Sequence, residues 1–253
     1  MRVINKPVSE ITATDLQELT LLLLHQAKSP LVAVDGFISM AESEEGGKSS
    51  TVRQKLLHYA RSSNERAMIL LDTISNITAL GINGHNLSIM PSRLDVSLRR
   101  SLLNYQVSSS EKRLICKINR TYKLPMVLVD QDKLEESLRL VAQIFVRSGP
   151  GKNEVLDVSF RIRGDYLVMR LSAPVFDQVL SEVKKVFLKD VHLTRLASEH
   201  DSELVVQCYI IRRNIELMSG FVKTEAKRGG PMRLYLHLPL SRQLQLTRLL
   251  GGR

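Results

Sequence analysis

The stretch His25-Gln26-Ala27-Lys28-Ser29-Pro30-Leu31 sets a histidine, a lysine and a hydroxyl within about one helical turn, inside a run that is otherwise apolar. A neutral imidazole is a competent nucleophile near neutral pH, because its unperturbed pKa is about 6.5. Residues three and four apart share a helix face, so Lys28 and Ser29 can offer a cation and a hydrogen-bond donor beside His25. Gln26 can hydrogen-bond an imidazole or orient a water, but it cannot accept a proton as a general base does. Pro30 removes a backbone donor and loosens the helix just beyond the histidine.

The elements that must hold these groups can be read from hydrophobic spacing. Leu16, Leu19, Leu23, Gln26, Pro30, Ala33, Phe37 and Met40 recur at alternating three- and four-residue intervals, the seam of a coiled-coil-like helix that runs to about Glu45. Thr12 or Thr14 can cap its start. Gly46-Gly47-Lys48-Ser49-Ser50 breaks the pattern, and a second helix from Thr51 carries Val52, Leu56, Tyr59, Leu70, Ile74 and Ile77. Two long helices joined by a short loop form an antiparallel hairpin. A lone hairpin cannot enclose its apolar seam, so the pattern predicts two hairpins pairing into a dimeric four-helix bundle.

Beyond Gly81-Ile82-Asn83-Gly84 the pattern alternates between strand and helix. Strand-like stretches are predicted at Leu87–Met90, Arg113–Ile118 and Pro125–Val129, and helices at Arg93–Ser108, 132–147, Pro174–Phe187 and Ser202–Met218. One hairpin joins Glu154–Arg163 to Tyr166–Leu171 through Gly164-Asp165, and a closing one joins Gly220–Thr224 to Arg233–Leu238 around Gly229-Gly230. Strand pairs interleaved with helices define an α+β sandwich. The predicted organisation is a tail over 1–9, a helical hairpin over 10–82, an α/β sandwich over 83–242 and a short amphipathic tail over 243–253.

Composition bounds the function. The chain has 253 residues, 43% of them apolar and 25% charged, which is ordinary for a soluble globular protein. No run approaches the roughly 18–20 apolar residues of a membrane span, and the N-terminus lacks the layout of a signal peptide, so the expected location is cytoplasmic with no membrane partner. Cys116 and Cys208 lie far apart without metal-spaced partners and read as core residues. His58, His85, His192, His200 and His237 show no metal spacing. The net charge of +10 favours anionic partners, but it is spread along the chain without a basic block or interleaved aromatics, which makes direct nucleic-acid binding a minority reading.

With these residues in view, the chain resembles the two-component sensor histidine kinase family over about residues 12–242. His25–Leu31 resembles the family's H-box, usually His-Glu-x-x-Thr-Pro-Leu, and the hairpin resembles its dimerisation and phosphoacceptor domain. Leu124-Pro125 with Val129-Asp130-Gln131-Asp132-Lys133-Leu134 is similar to the entry to the ATP-binding helix. Glu216-Leu217-Met218-Ser219-Gly220, Arg228-Gly229-Gly230 and Leu238-Pro239-Leu240 are similar to the closing hairpin and its Leu-Pro-Leu finish.

The departures from the family are equally specific. Leu140 and Ile144 stand where the family's asparagines hold magnesium and phosphate, and neither can ligate a hard cation. Ser172-Ala173-Pro174-Val175-Phe176 replaces the Asp-x-Gly-x-Gly box, and Val205-Val206-Gln207 replaces the second glycine box, where β-carbons crowd the approach of phosphate. Three such losses predict that no ATP or magnesium cofactor is retained in working form.

What the resemblance leaves is a phosphoacceptor. It implies that His25 accepts a phosphoryl group from a receiver-domain aspartyl phosphate, that Lys28 and Ser29 lie near the phosphoryl oxygens, and that the receiver brings the magnesium. Gln26 replaces the family's acidic residue and weakens phosphate removal. Two readings follow: a homodimeric histidine phosphotransferase serving response-regulator receiver domains, and a non-catalytic pseudokinase that dimerises and regulates by binding. Taken singly, Asp130 and Asp132 read as helix caps, and Gly220, Gly229 and Gly230 as turn residues.

Overall fold

The computed structural model describes residues 13–42, 50–82, 87–103, 113–119, 124–151, 153–187, 202–225 and 229–241. Both expected tails, the Thr12 cap, the loop at 43–49 and the histidines His85, His192 and His200 lie outside them. The chain divides into two compact units, residues 1–85 with 192–206 and residues 86–191 with 207–253.

In the first unit α1 (Ala13–Glu42) and α2 (Ser50–Ile82) form the expected hairpin. Its seam follows the predicted heptad spacing only in part. Leu19, Leu23, Ala27 and Ala41 are buried on α1, while Gln26, Pro30, Ala33 and Phe37 are only half-buried and Met40 is exposed. The eighteen residues from Leu23 to Ala41 make five turns of a straight helix at about 3.6 residues per turn, whereas a strict seven-residue seam drifts about 20° per heptad. The buried positions of α2 are Ala60, Ala67, Leu70 and Thr73, while Leu56 and Ile74 are half-buried and Val52 and Tyr59 stay exposed. Small side chains in the seam let the backbones approach, and the rings of Phe37 and Tyr59 meet across the hairpin at 5.6 Å. Thr73 turns its hydroxyl back to the carbonyl of Ile69 at 2.7 Å, which allows a polar residue to be buried there.

The second unit is a two-layer α/β sandwich. Its main sheet has strands β2 (Arg113–Ile118), β4 (Asn153–Arg163), β5 (Tyr166–Ala173), β6 (Phe221–Glu225) and β7 (Met232–Pro239), in the order β2-β4-β5-β7-β6. Only β2 and β4 run parallel. The hairpin at Gly164-Asp165 forms as expected, with Arg163 opposite Tyr166, and so does the closing hairpin. A separate two-stranded ribbon pairs β1 (Met90–Ser92) with β3 (Val127–Val129).

Alternation sends Leu156, Val158, Leu167, Met169, Leu171, Leu234, Leu236 and Leu238 to the inner face, all buried with Leu138, Val141 and Phe145 of α4 (Gln131–Ser148). Two further helices are α5 (Asp177–Phe187) and α6 (Ser202–Leu217).

Three local expectations are corrected. Leu87–Ile89 is not strand, since β1 begins at Met90 and its partner β3 is only three residues long. Of the helix expected over Arg93–Ser108, the described part is a short α3 (Leu94–Leu98) continuing as a π-turn over Arg99–Leu103, and 104–108 lie outside the described residues. The helix expected from Pro174 starts at Asp177, because Phe176 donates its N–H to the carbonyl of Ser148 at 3.0 Å instead of entering the helix.

Gly164 and Gly229 are turn glycines with φ of 58° and 71°. Gly220 serves differently: Ser219 takes the left-handed conformation at the end of α6 with φ of 59°, and a side chain on Gly220 would collide with the carbonyl oxygen of His237.

Candidate functional site

α1 runs without a break through Pro30, so His25, Gln26, Lys28 and Ser29 all sit on regular helix. At about 100° per residue, burying Leu23 and Ala27 turns His25 to the opposite side, and His25 is exposed. Lys28 and Ser29, three and four residues on, share its face and are also exposed. Gln26 is half-buried, at the edge of the seam facing α2. Three of the four predicted residues are thus brought to one water-facing surface, with the fourth turned towards the hairpin's interior edge.

The same stripe continues to Val32 and Gly36, which sequence spacing did not single out. Val32 is exposed, and a β-carbon at Gly36 would meet nothing within 4 Å. The signal was available: seven and eleven residues are about two and three helical turns from His25.

In the second unit Asp130 is a cap, as its position before a helix predicts. One carboxylate oxygen accepts from the backbone N–H of Lys133 at 3.1 Å, and the other from that of Ser88 at 2.9 Å. Asp132 is exposed in the first turn of α4. Glu136 accepts from the Asn214 side chain at 3.0 Å and from the Lys133 ammonium at 3.1 Å, and Gln207 donates to Gln143 at 3.3 Å. Two polar contacts therefore tie α4 to α6.

Leu140 and Ile144 are buried on α4. Ile144 helps line a cavity of about 10 Å³ with Val141, Phe145, Val183, Cys208 and Leu234. A small-molecule site commonly needs roughly 300 Å³ or more, and a magnesium ion needs oxygen ligands that these side chains lack. Ser172, Ala173 and Val175 are buried at the end of β5, and Val205-Val206-Gln207 lies inside α6. These residues do not match what a magnesium nucleotide asks of a protein.

Among the described residues no group of three or more His, Cys, Asp or Glu is placed to hold a metal ion, and no helix is long and apolar enough to cross a membrane. Cys116 and Cys208 are not joined in a disulfide. Burial pushes the Cys116 thiol up to about 11, which keeps it protonated and unreactive at neutral pH. His58 is exposed on α2, and His237 is buried in the sheet.

This architecture, a helical hairpin followed by an α/β sandwich, is that of histidine kinases. No sequence-family model and no curated protein matches the chain. Among solved structures it is similar to the Acinetobacter baumannii histidine kinase AdeS, at 9% identity and a TM-score of 0.56 over 86% of this chain and 98% of that one. It is also similar to full-length ShkA in complex with AMPPNP, at 16% identity and a TM-score of 0.52 over 87% of this chain and 46% of that one. A bacterial phosphotransferase aligns at 14% identity with a TM-score of 0.48, over 91% of this chain and the whole of the other. At such identities the likeness is one of fold, and the chain has a histidine-kinase-like α+β fold.

Proposed function

We propose that this chain is a two-component signalling protein that relays phosphate between His25 and the aspartates of response-regulator receiver domains, without phosphorylating itself from ATP. The observation that carries the reading is the water-facing cluster of His25, Lys28 and Ser29 on the first helix of a histidine-kinase-like fold.

In the transfer, a ring nitrogen's lone pair forms the N–P bond as the acyl-phosphate P–O bond breaks and the receiver's carboxylate leaves. The magnesium belongs to the receiver, so this chain has only to align a nucleophile and leave the phosphoryl group unrepelled. Lys28 supplies a positive charge and Ser29 a hydroxyl donor on the same face. The apolar residues at the ATP-box positions support the absence of autophosphorylation.

A homodimer is part of this reading. Leu24, Leu31 and Ile38 recur at seven-residue intervals on α1 and remain exposed, as do Leu57, Met68 and Leu71 on α2. Exposed apolar side chains on both helices are what a second hairpin would cover.

The test is a phosphotransfer assay with a labelled receiver domain. Label should pass to the wild type and not to His25→Gln; label on that variant would sink the assignment. Gln26, where an acidic residue would assist proton chemistry, favours a second reading, a pseudokinase that binds the receiver without taking label. Incubation with ATP and magnesium should leave the chain unlabelled.

A further inference from the structure

We propose that the outer face of the main sheet is a binding surface for single-stranded nucleic acid, independent of the His25 site. The basic residues that look dispersed along the chain are gathered there by strand alternation. In register across the sheet, Ser159, Arg170, Tyr235 and Lys223 form one row, Arg161, Val168, His237 and Phe221 the next, and Arg163, Tyr166 and Pro239 a third. Lys117 on β2 stands opposite Asp157, in the row that holds Arg233 and Glu225.

Among the described side chains, six cations and two carboxylates share this face, and Glu225 is already engaged by the Tyr235 hydroxyl at 2.7 Å and by Arg233 at 3.8 Å. Lys117, Arg161, Arg163 and Lys223 are exposed, Arg170 is half-buried, and among the described residues none of the five has a carboxylate within ion-pair distance. The Nε of Arg170 is buried without a hydrogen-bond partner. Clustered cations repel one another, and a polyanion laid across them relieves that repulsion.

The rings select the kind of polyanion. Phe221 stacks on His237 at 3.9 Å and meets Tyr166 edge-on at 5.2 Å, while Lys223 lies 5.3 Å over Phe221 and Arg161 5.7 Å over Tyr235. Tyr166 and Phe221 are half-exposed, and Phe221 belongs to the edge strand β6. Rings set in a sheet among arginines can stack unpaired bases while the guanidinium groups bind phosphates. Cations on neighbouring residues of one face are spaced about 7 Å along a strand, and a flexible single strand can follow them. A five-stranded sheet is broader than the major groove of a duplex, which admits an α-helix or a two-stranded ribbon. A membrane surface is the weaker match, because among the described residues Ile115 is the one strongly exposed large apolar side chain on this face.

The experiment measures anisotropy of fluorescent mixed-sequence RNA and DNA oligonucleotides, single-stranded and duplex, against the full-length chain between about 50 and 200 mM salt. With about four phosphates neutralised, the log–log salt slope for single strands should be about −3. Arg161→Glu/Arg163→Glu should weaken single-strand binding at least about tenfold and flatten the slope by about 1.4, at about 0.7 for each of two contacts. Arg53→Glu, exposed on α2, should change affinity less than about threefold, the effect of net charge alone. Lys117→Glu/Lys223→Glu gives the same reading should the first pair fail to fold, with thermal melts reporting folding. No single-strand binding at the lowest salt, equal loss in the Arg53 variant, or duplex binding as tight as single-strand binding would each overturn the proposal. So would binding to anionic phosphatidylserine vesicles that the double variant abolishes while oligonucleotide binding is unchanged.

Discussion

His237 gives the protein a calculable sensitivity to acid. The residue is 4% exposed, its ring is stacked on Phe221 at 3.9 Å, and its Nδ1 has no hydrogen-bond partner. Burial, with the positive charge of Lys223 adding to it, pushes its pKa down to about 4 from an ordinary 6.5. Above pH 6.5 the ring is neutral in both folded and unfolded chains and contributes no pH dependence. Between about 6.5 and 4 the unfolded chain binds a proton that the folded one refuses, so stability falls as pH falls; below about 4 both are protonated and the loss stops growing. At pH 5 the two values correspond to a loss of about 2 kcal/mol. Carboxylates titrate in the same window, so the measurement is a difference. Urea titrations of the wild type and of His237→Phe, followed by circular dichroism at about pH 7.5 and about pH 5, should show the wild type losing about 2 kcal/mol more than the variant. Phenylalanine keeps the stack and has no site to protonate. Equal losses in the two proteins would refute the argument that His237 is held neutral by its surroundings.

Further outcomes follow from other contacts. Asp130→Ala removes the acceptor of both the Lys133 and Ser88 N–H groups and should cost about 1–2 kcal/mol, with Asp130→Asn recovering part of it, as read by thermal unfolding. Leu24→Glu/Leu31→Glu places charge on the exposed apolar stripe of α1 without touching buried Leu23 or Ala27, and should shift the chain from dimer to monomer in sedimentation velocity while helicity is kept. A chain that sediments as a monomer before substitution would remove the dimer from the proposed function.

The two long helices, the Gly164-Asp165 hairpin, the closing hairpin and α4 with its Asp130 cap were all legible in the linear sequence. Their signals are local: apolar period, turn glycines and a carboxylate ahead of a helix each act within a few residues. The polar character of His25–Leu31 was legible for the same reason. The seam of the hairpin was legible only in part, at Leu19, Leu23 and Leu70, because a seven-residue pattern and a straight helix differ by only about 20° per heptad, and packing between the helices decides which is obeyed. That choice buries Ala27 and Ala41 and leaves Met40 in water. It also fixes the site, since burying Leu23 and Ala27 is what turns His25, Lys28 and Ser29 outward together. The lengths of β1 and α5 were likewise set by distant partners, Val127–Val129 and the carbonyl of Ser148. Sequence alone thus determined which groups with chemistry the chain carries and that a histidine is set in a helix. Only tertiary structure decided which face that histidine takes, and that arginines far apart along the strands share one side of a sheet, because a face is a property of pairing and packing that no single segment contains.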